Sequence, residues 1–346
     1  MRNPLNLLLL AIPVSIYFEY TGNEIALFFS ACLAIVPLAG LMGEATENLA
    51  CYTGERIGGL LNATFGNATE LLITVFALQA GLFEVVKASI AGSILGNILL
   101  VLGLSILVGG IKNGLQSFDR IHVSNQTSML VLAVIALIIP AVFFQGQHTA
   151  EVESFSLMVA GILIVLYFAG LLFAMRRQGK QCEVETAEWS KGKSIGFLAV
   201  ATALIALESE FLVSGIEPVT AALGWTEFFI GIIVIPIIGN AAEHFTAIVM
   251  AVKNKMDLSF EIAVGSSTQI AMLITPLLIF ISLGVGKPMD IIFNYYEIAA
   301  IALAVLIAQS ISQDGESNWL EGAQLTAAYV IIAAAFFFVK TAAAVG

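Results

Sequence analysis

Residues 59 to 78, GLLNATFGNATELLITVFAL, make an apolar run long enough to cross a bilayer, with one charge, Glu70, inside it. The arrangement recurs in residues 228 to 252, FFIGIIVIPIIGNAAEHFTAIVMAV, where Glu243 follows GNAA as Glu70 follows GNAT. The offset, 243 minus 70, is 173, and the pair Gly92-Ser93 returns as Gly265-Ser266 at the same offset. The chain is therefore an internal repeat with no insertion between these two signals. An ionisable group at the middle of a membrane helix costs roughly 3 kcal/mol on insertion scales, so two at matched positions call for a compensating partner. Duplicated halves with broken helices meeting near the midplane are how many secondary transporters build such a site.

The remaining composition fits only a membrane setting. Of 346 residues 59% are apolar and 11% charged, with mean hydropathy +0.97, more hydrocarbon than a soluble domain of this size hides. The net charge of −11 says less than where the few charges fall. Cys32, Cys51 and Cys182 have no metal-ligand spacing, and an odd number cannot complete a disulfide framework. Residues 1 to 17 lack a small-x-small cleavage site after the apolar stretch, so they read as a retained first helix and not a signal peptide.

Apolar runs place eleven spans, near 5–20, 25–43, 59–80, 85–111, 125–145, 154–175, 194–215, 226–252, 259–284, 291–311 and 320–340. With a cytoplasmic N-terminus, one side collects Arg2, Arg56, Lys112, Arg120, Arg176, Arg177, Lys180, Lys191, Lys193, Lys253 and Lys255, and the other only Lys87, Lys287 and Lys340. That bias supports both the span count and the orientation, with the C-terminus outside. The expected fold is an all-α polytopic membrane protein of about 11 helices. Residues 1–22 form a first helix, 23–175 a five-helix repeat, 176–193 an acidic cytoplasmic linker and 194–346 a second five-helix repeat. Five helices is an odd number, so the halves have inverted topology. Glu183, Glu185 and Glu188 make the linker acidic, which reads either as a cation-attracting mouth or as a solvated helical face.

Asn67, Glu70 and Thr74 share one helical face, with Gly66 one turn before the carboxylate. Gly239, Asn240 and Glu243 repeat the set, and Pro236 should free the Ile232 carbonyl as an oxygen ligand, as Pro276 should free that of Met272. The helices that follow add Ser93 with Asn97, and Ser266 with Gln269. Carboxylate, amide, hydroxyl and carbonyl oxygens without thiolate suit a hard divalent ion such as calcium. Taken singly, the small and amide residues equally serve helix packing. His244 reads either as an extra proton carrier or as a packing hydrogen bond. Glu44 and Glu47, and Glu208 and Glu210, are candidates for an entry path or proton relay, with Glu47 weakly paired to Glu210. Glu261 and Glu297 fall near span ends and read as structural.

GNATELLIT and GNAAEHFTA, each followed by a GS-containing helix (GSILGNILL and GSSTQIAML), resemble the two signature repeats of the calcium/proton exchanger (CAX) branch of the cation/calcium exchanger superfamily. The GTS-type repeats of sodium/calcium exchangers are not found. The resemblance implies an inverted five-plus-five fold, calcium held between Glu70 and Glu243, and calcium export driven by inward protons. It also implies a prokaryotic cytoplasmic membrane, since eukaryotic relatives usually carry long N-terminal extensions. The residues agree with it. Repulsion between two facing carboxylates is relieved by protons or by a dication, so the two ions compete, two protons for one calcium, and alternating access prevents leak.

On this reading the chain is not an enzyme and needs no cofactor. Its partners are the bilayer, calcium and protons, with no nucleic acid, and homo-oligomerisation is left open. The runner-up is the same scaffold exchanging sodium, manganese or potassium for protons or calcium. An intramembrane aspartyl protease is disfavoured because Asp119, Asp257, Asp290 and Asp314 all fall in or beside loops, and a passive channel would show no proton coupling. GKS at 192–194 lacks the Walker glycine, GVG at 284–286 lacks a third glycine, and neither HExxH nor CxxC occurs.

Overall fold

Backbone in a bilayer has to satisfy its own hydrogen bonds, and this chain does so with helices. The computed structural model describes residues 4–144, 146, 149–177 and 187–338. Twelve helices can be traced there: α1 Leu7–Thr21, α2 Glu24–Phe65, α3 Ala68–Ala80, α4 Phe83–Asn113, α5 Arg120–Phe144, α6 Ala150–Arg177, α7 Lys191–Leu223, α8 Glu227–Gly239, α9 Ala241–Val252, α10 Met256–Gly284, α11 Tyr295–Ile311 and α12 Trp319–Phe338. Seven of them contain stretches long and apolar enough to span, α8 and α9 form a broken span bent by 59°, and α1, α3 and α11 are shorter apolar helices.

Local chemistry sets the helix ends. Asn294 and Glu297 form a reciprocal capping box at the start of α11, which accounts for a carboxylate only 2% exposed. Ser190 and Thr226 cap α7 and α8 through their side chains. Glycine with positive φ ends α3 at Gly81 and α7 at Gly224.

The helical trace from Glu24 to Phe65 covers 42 residues, but it is not one rod. A Cβ on Gly58 would stand 3.1 Å from Ala50 Cβ, eight residues back, where a straight helix would hold the two about 12 Å apart. The chain therefore reverses within the polar stretch EATENLACYTGERIG, between the runs expected to span at 25–43 and 59–80, and does so while staying helical. A second interruption falls inside the expected third span, at Gly66-Asn67.

Side-chain contacts sort the loops into two groups. Gln116 Nε2 donates to Asn254 Oδ1 (2.9 Å), and a two-stranded antiparallel pair, Gln116–Ser117 with Glu316–Ser317, lies in the same group. On the opposite group Lys87 pairs with Asp290 at 2.6 Å, and Lys287 donates to the Gln79 carbonyl at 2.7 Å. The first group contains the segments that carry Lys112, Arg120, Lys253 and Lys255, the second those with Lys87 and Lys287, the same division that the charge bias draws. Half of the acidic linker, residues 178–186 with Glu183 and Glu185, lies outside the described residues. Its last turn docks on α2, where Asn48 Oδ1 accepts from the Trp189 amide (3.0 Å) and Tyr52 Oη donates to the Trp189 carbonyl (2.6 Å).

The 173-residue register holds in three dimensions. The breaks at Asn67 and Asn240 have nearly the same backbone conformation, φ −104°, ψ 20° and φ −97°, ψ 5°. Residues 96–101 of α4 and 270–274 of α10 are both π-helical turns at matched positions. One pair of segments departs from it: residues 54–65 fold back beside Ala50 of α2, whereas their counterparts 227–238 form α8 and lie against α4.

Candidate ion-binding site

The GN pair that precedes each carboxylate is a helix break in the fold, not a polar stripe on a continuous helix. Asn67 and Asn240 sit in the bridge region, too far from helical ψ to carry a helix through. Glu70 and Glu243 therefore fall in the first turns of the half-helices α3 and α9, whose N-terminal dipoles favour negative charge.

The two breaks cross, and each acid lies over the glycine of the other repeat. A Cβ on Gly66 would stand 3.3 Å from Glu243 Oε1, and one on Gly239 would stand 3.4 Å from Glu70 Cγ and 3.6 Å from its Oε1. A Cβ on Gly66 would crowd the opposing carboxylate, whereas one on Gly239 would lie in ordinary van der Waals contact with it.

Glu70 is 3% exposed, and neither of its carboxylate oxygens has a hydrogen-bond partner. Glu243 Oε2 and Asn240 Oδ1 are likewise buried without partners. Buried oxygens left unsatisfied cost free energy, so a cluster of four at one point marks a place that a ligand completes. The donor set is all oxygen, which fits a hard cation or protons.

The surrounding amides are held by the helices that follow each motif. Asn67 Nδ2 donates to Gln269 Oε1 (2.6 Å), and Ser266 Oγ donates to Asn67 Oδ1 (3.0 Å). Asn240 Nδ2 donates to the Pro236 carbonyl (3.1 Å) and to Ser93 Oγ (3.3 Å). His244 Nε2 lies 3.2 Å from Asn97 Oδ1. Glu70, Glu243, Asn67, Asn240, Gly66, Gly239, Ser93, Asn97, Ser266, Gln269 and His244 are thus brought together.

Other expectations are corrected. Thr74 spends its hydroxyl on the Glu70 carbonyl (2.6 Å), so it braces α3. The Ile232 carbonyl faces α4, where a Cβ on Gly92 would collide with it and with Pro236 Cγ, so the atom freed by Pro236 is packed away from the acids. Glu208 is fully buried and accepts from Ser15 Oγ of α1 (2.7 Å), outside the cavity, and Glu210 is exposed on α7. The pairing of Glu47 with Glu210 does not follow the 173 register, which instead relates Glu44 to Glu217.

A cavity of about 810 Å³ leads from Gly66, Gly239 and Glu243 to Glu44, Glu47 and Glu261. Its far end lies on α2 and α10 near the loop group that carries Lys253 and Lys255. Tyr167 and Gln126, from α6 and α5, also line it; both were missed in the sequence because an isolated polar residue on an apolar helix has no motif around it. Glu261, read as structural, lines it too.

On the opposite side of the acids the way is shut. A Cβ on Gly231 would come within 2.8 Å of Ala88 Cβ and 2.9 Å of the Val85 carbonyl, so α8 is pressed onto α4. At Gly265, the counterpart of Gly92, the nearest atom to such a Cβ is Gln126 Nε2 at 3.9 Å.

Residues 23–176 and 193–338 match the family described as sodium/calcium exchanger protein. The chain belongs to this family. The exchanger is 44% identical to the Ca(2+)/H(+) antiporter of Aphanothece halophytica over 96% of its own length and 95% of that protein's. It is also 44% identical to the Ca(2+)/H(+) antiporter ChaA of Bacillus subtilis (strain 168), over 94% and 96% of the two chains. Among solved structures it superposes on native YfkE with a TM-score of 0.87 at 43% identity, covering 97% of this chain and 100% of that one. The exchanger family thus accounts for both repeats and leaves the intervening segment, 177–192, unmatched.

Proposed function

We propose that the protein is a secondary active antiporter that exports Ca2+ from the cytosol in exchange for H+ by alternating access. The observation that carries this reading is the crossing of two half-helix N-termini, where Glu70, Glu243 and Asn240 present buried oxygens without partners at the end of a one-sided cavity. A calcium ion there would take the two carboxylates, with Asn240, Asn67 and the backbone at Gly66 and Gly239 near it. Two protons would satisfy the same carboxylates in its absence. Since either occupant relieves the repulsion between the acids and both together do not fit, exchange follows from competition.

Alternation is supported by the one place where the repeats differ. The segment 227–238 lies on α4 and closes one side, and 54–65 stands away from α10 and leaves the other open. Inverted repeats exchange roles when the transporter turns over. Residues 54–65 would then fold onto α10, with Gly58 and Gly59 meeting Leu258, Glu261 and Gly265, the counterparts of Val85, Ala88 and Gly92. The present state is inward-facing if the basic loop group is cytoplasmic, as the charge bias favours, with the N-terminus inside and the C-terminus outside.

The test is calcium uptake by proteoliposomes under an imposed pH gradient, with Mn2+, Na+ and K+ as competitors. Proton-driven uptake of calcium is expected. Flux down the calcium gradient without proton movement would make the protein a channel, and preference for another cation would retain the scaffold and change its cargo.

A further inference from the structure

We propose that Ser89 of α4 lines the path by which the ion leaves the site on the side of Lys87 and Lys287: its hydroxyl, buried and without a partner while α8 is docked, meets water and the departing cation when α8 lifts away. The proposal rests on the antiport reading above, and it assigns a residue outside both GN motifs.

The open side of the protein shows what the shut side becomes. On α10 the cavity is lined by Leu258, Glu261, Ile262 and Gly265, and a shift of 173 residues carries these onto Val85, Ala88, Ser89 and Gly92 of α4. Three of those four lie against α8: a Cβ on Gly231 would stand 2.9 Å from the Val85 carbonyl and 2.8 Å from Ala88 Cβ, and a Cβ on Gly92 would collide with the Ile232 carbonyl. Ser89 follows Val85 by four residues and precedes Gly92 by three, so it shares their face and lies under the same cover.

The hydroxyl singles this residue out. A buried serine inside a helix can spend its proton on the carbonyl four residues back, as Ser267 does on Ala263 (2.9 Å) and Ser209 on Ile205 (2.6 Å). Ser89 is 1% exposed, yet its Oγ has no hydrogen-bond partner. An unpaired hydroxyl costs free energy in the state that buries it. With α8 lifted, the same atom becomes a hard oxygen for water or a dication.

The depth of Ser89 fits a release path. Lys87, two residues earlier, donates to Asp290 Oδ1 (2.6 Å) and to the Ile292 carbonyl (2.8 Å) in the loop group on that side. One turn deeper than Ser89, Ser93 Oγ accepts from Asn240 Nδ2 (3.3 Å). Ser89 therefore stands between the loops and the ion site.

The test reads access from each side of the membrane. In a background with Cys32, Cys51 and Cys182 replaced by alanine, the Ser89→Cys variant is treated with a charged, membrane-impermeant methanethiosulfonate in right-side-out and inverted vesicles. Labelling from the side of Lys87 should be slow at rest and rise about fivefold or more during calcium/proton exchange, as the undocked state becomes populated. Ala91→Cys, fully buried on another face of α4, should stay unlabelled. Ile262→Cys should react from the opposite side and slow during exchange. Ser89→Ala removes the unpaired hydroxyl from the docked state and favours that state about fivefold. The KM for calcium offered on the Lys87 side should then rise about fivefold, with the KM on the cavity side within about twofold of wild type.

A Ser89→Cys variant that stays protected during exchange, that is labelled as fast at rest, or that reacts from the cavity side overturns the proposal. So does a Ser89→Ala KM that moves equally on both sides or on neither. Failure of the antiport reading looks different: wild type, run alongside, would show no proton-driven calcium uptake, whereas failure of the Ser89 results alone leaves that reading standing.

Discussion

The carboxylate of Glu243 lies over Gly66, where a Cβ would stand 3.3 Å from Oε1 and 2.7 Å from the Asn62 carbonyl. The mirrored contact of Glu70 with Gly239 is looser, with a Cβ at 3.4 Å or more from any atom of the acid. The pseudo-symmetric glycines should therefore respond unequally. Gly66→Ala has to displace either a backbone carbonyl or the acid, and overpacking of this kind costs about 1–3 kcal/mol, roughly tenfold or more in calcium affinity. Gly239→Ala should cost less than about threefold. Equilibrium calcium binding to the two purified variants checks the order.

A second prediction concerns the two seats. Gly92 is covered by α8, so Gly92→Val should destabilise the present state outright and lower expression and melting temperature. Gly265 is open here and would be covered only after the exchange of shapes. Gly265→Val is expected to fold and bind calcium within about threefold of wild type, yet to lose about 90% or more of its exchange rate, since the opposite state has no room for the side chain. Normal exchange by Gly265→Val would show that residues 54–65 do not dock there.

The pH dependence follows from competition. Where the acids carry both protons, one calcium must displace two, so the apparent dissociation constant should rise by up to about two log units for each unit fall in pH. Where both protons are already lost, the dependence should vanish. Glu70→Gln leaves one titrating acid and should halve the limiting slope to about one. Calcium binding measured across pH on wild type and this variant gives both slopes.

Glu208 tests where function ends and packing begins. Its carboxyl meets Ser15 of α1 and does not line the cavity. Glu208→Gln, which keeps the hydrogen bond, should exchange calcium within about twofold of wild type. Ser15→Ala leaves a buried carboxyl without its partner and should cost about 1–3 kcal/mol of stability without altering the KM. Loss of proton coupling in Glu208→Gln would place this acid on the proton path.

Much of this architecture is legible in the chain because a membrane makes it so. Apolar runs and basic loops report spans directly, and a duplicated GN-x-x-E at constant offset reports the crossing of two breaks. The same signals mislead where hydropathy and helix propensity part company. The charges at 44–56 read as a loop, and the chain does reverse there, with Gly58 against Ala50, yet it stays helical through to Phe65. Pro236 does free a carbonyl, but whether that oxygen meets a cation or a neighbouring glycine depends on which side of α8 faces α4, and spacing alone cannot fix this. Gln126, Tyr167 and Glu261 come to the cavity from α5, α6 and the start of α10, outside both motifs, and only the packing of those helices brings them in.

The central claim is that one pair of facing carboxylates carries calcium and protons alternately. Its most direct test is calcium-dependent proton release in proteoliposomes containing wild type, Glu70→Gln or Glu243→Gln. Removing one charge about 4 Å from a dication forfeits an attraction of about 8 kcal/mol at an effective dielectric constant of about 20, only part of which the lower desolvation cost of the neutral amide returns. Stoichiometric exchange by wild type and none measurable in either variant is predicted; coupled exchange at the wild-type rate in either variant would contradict the account.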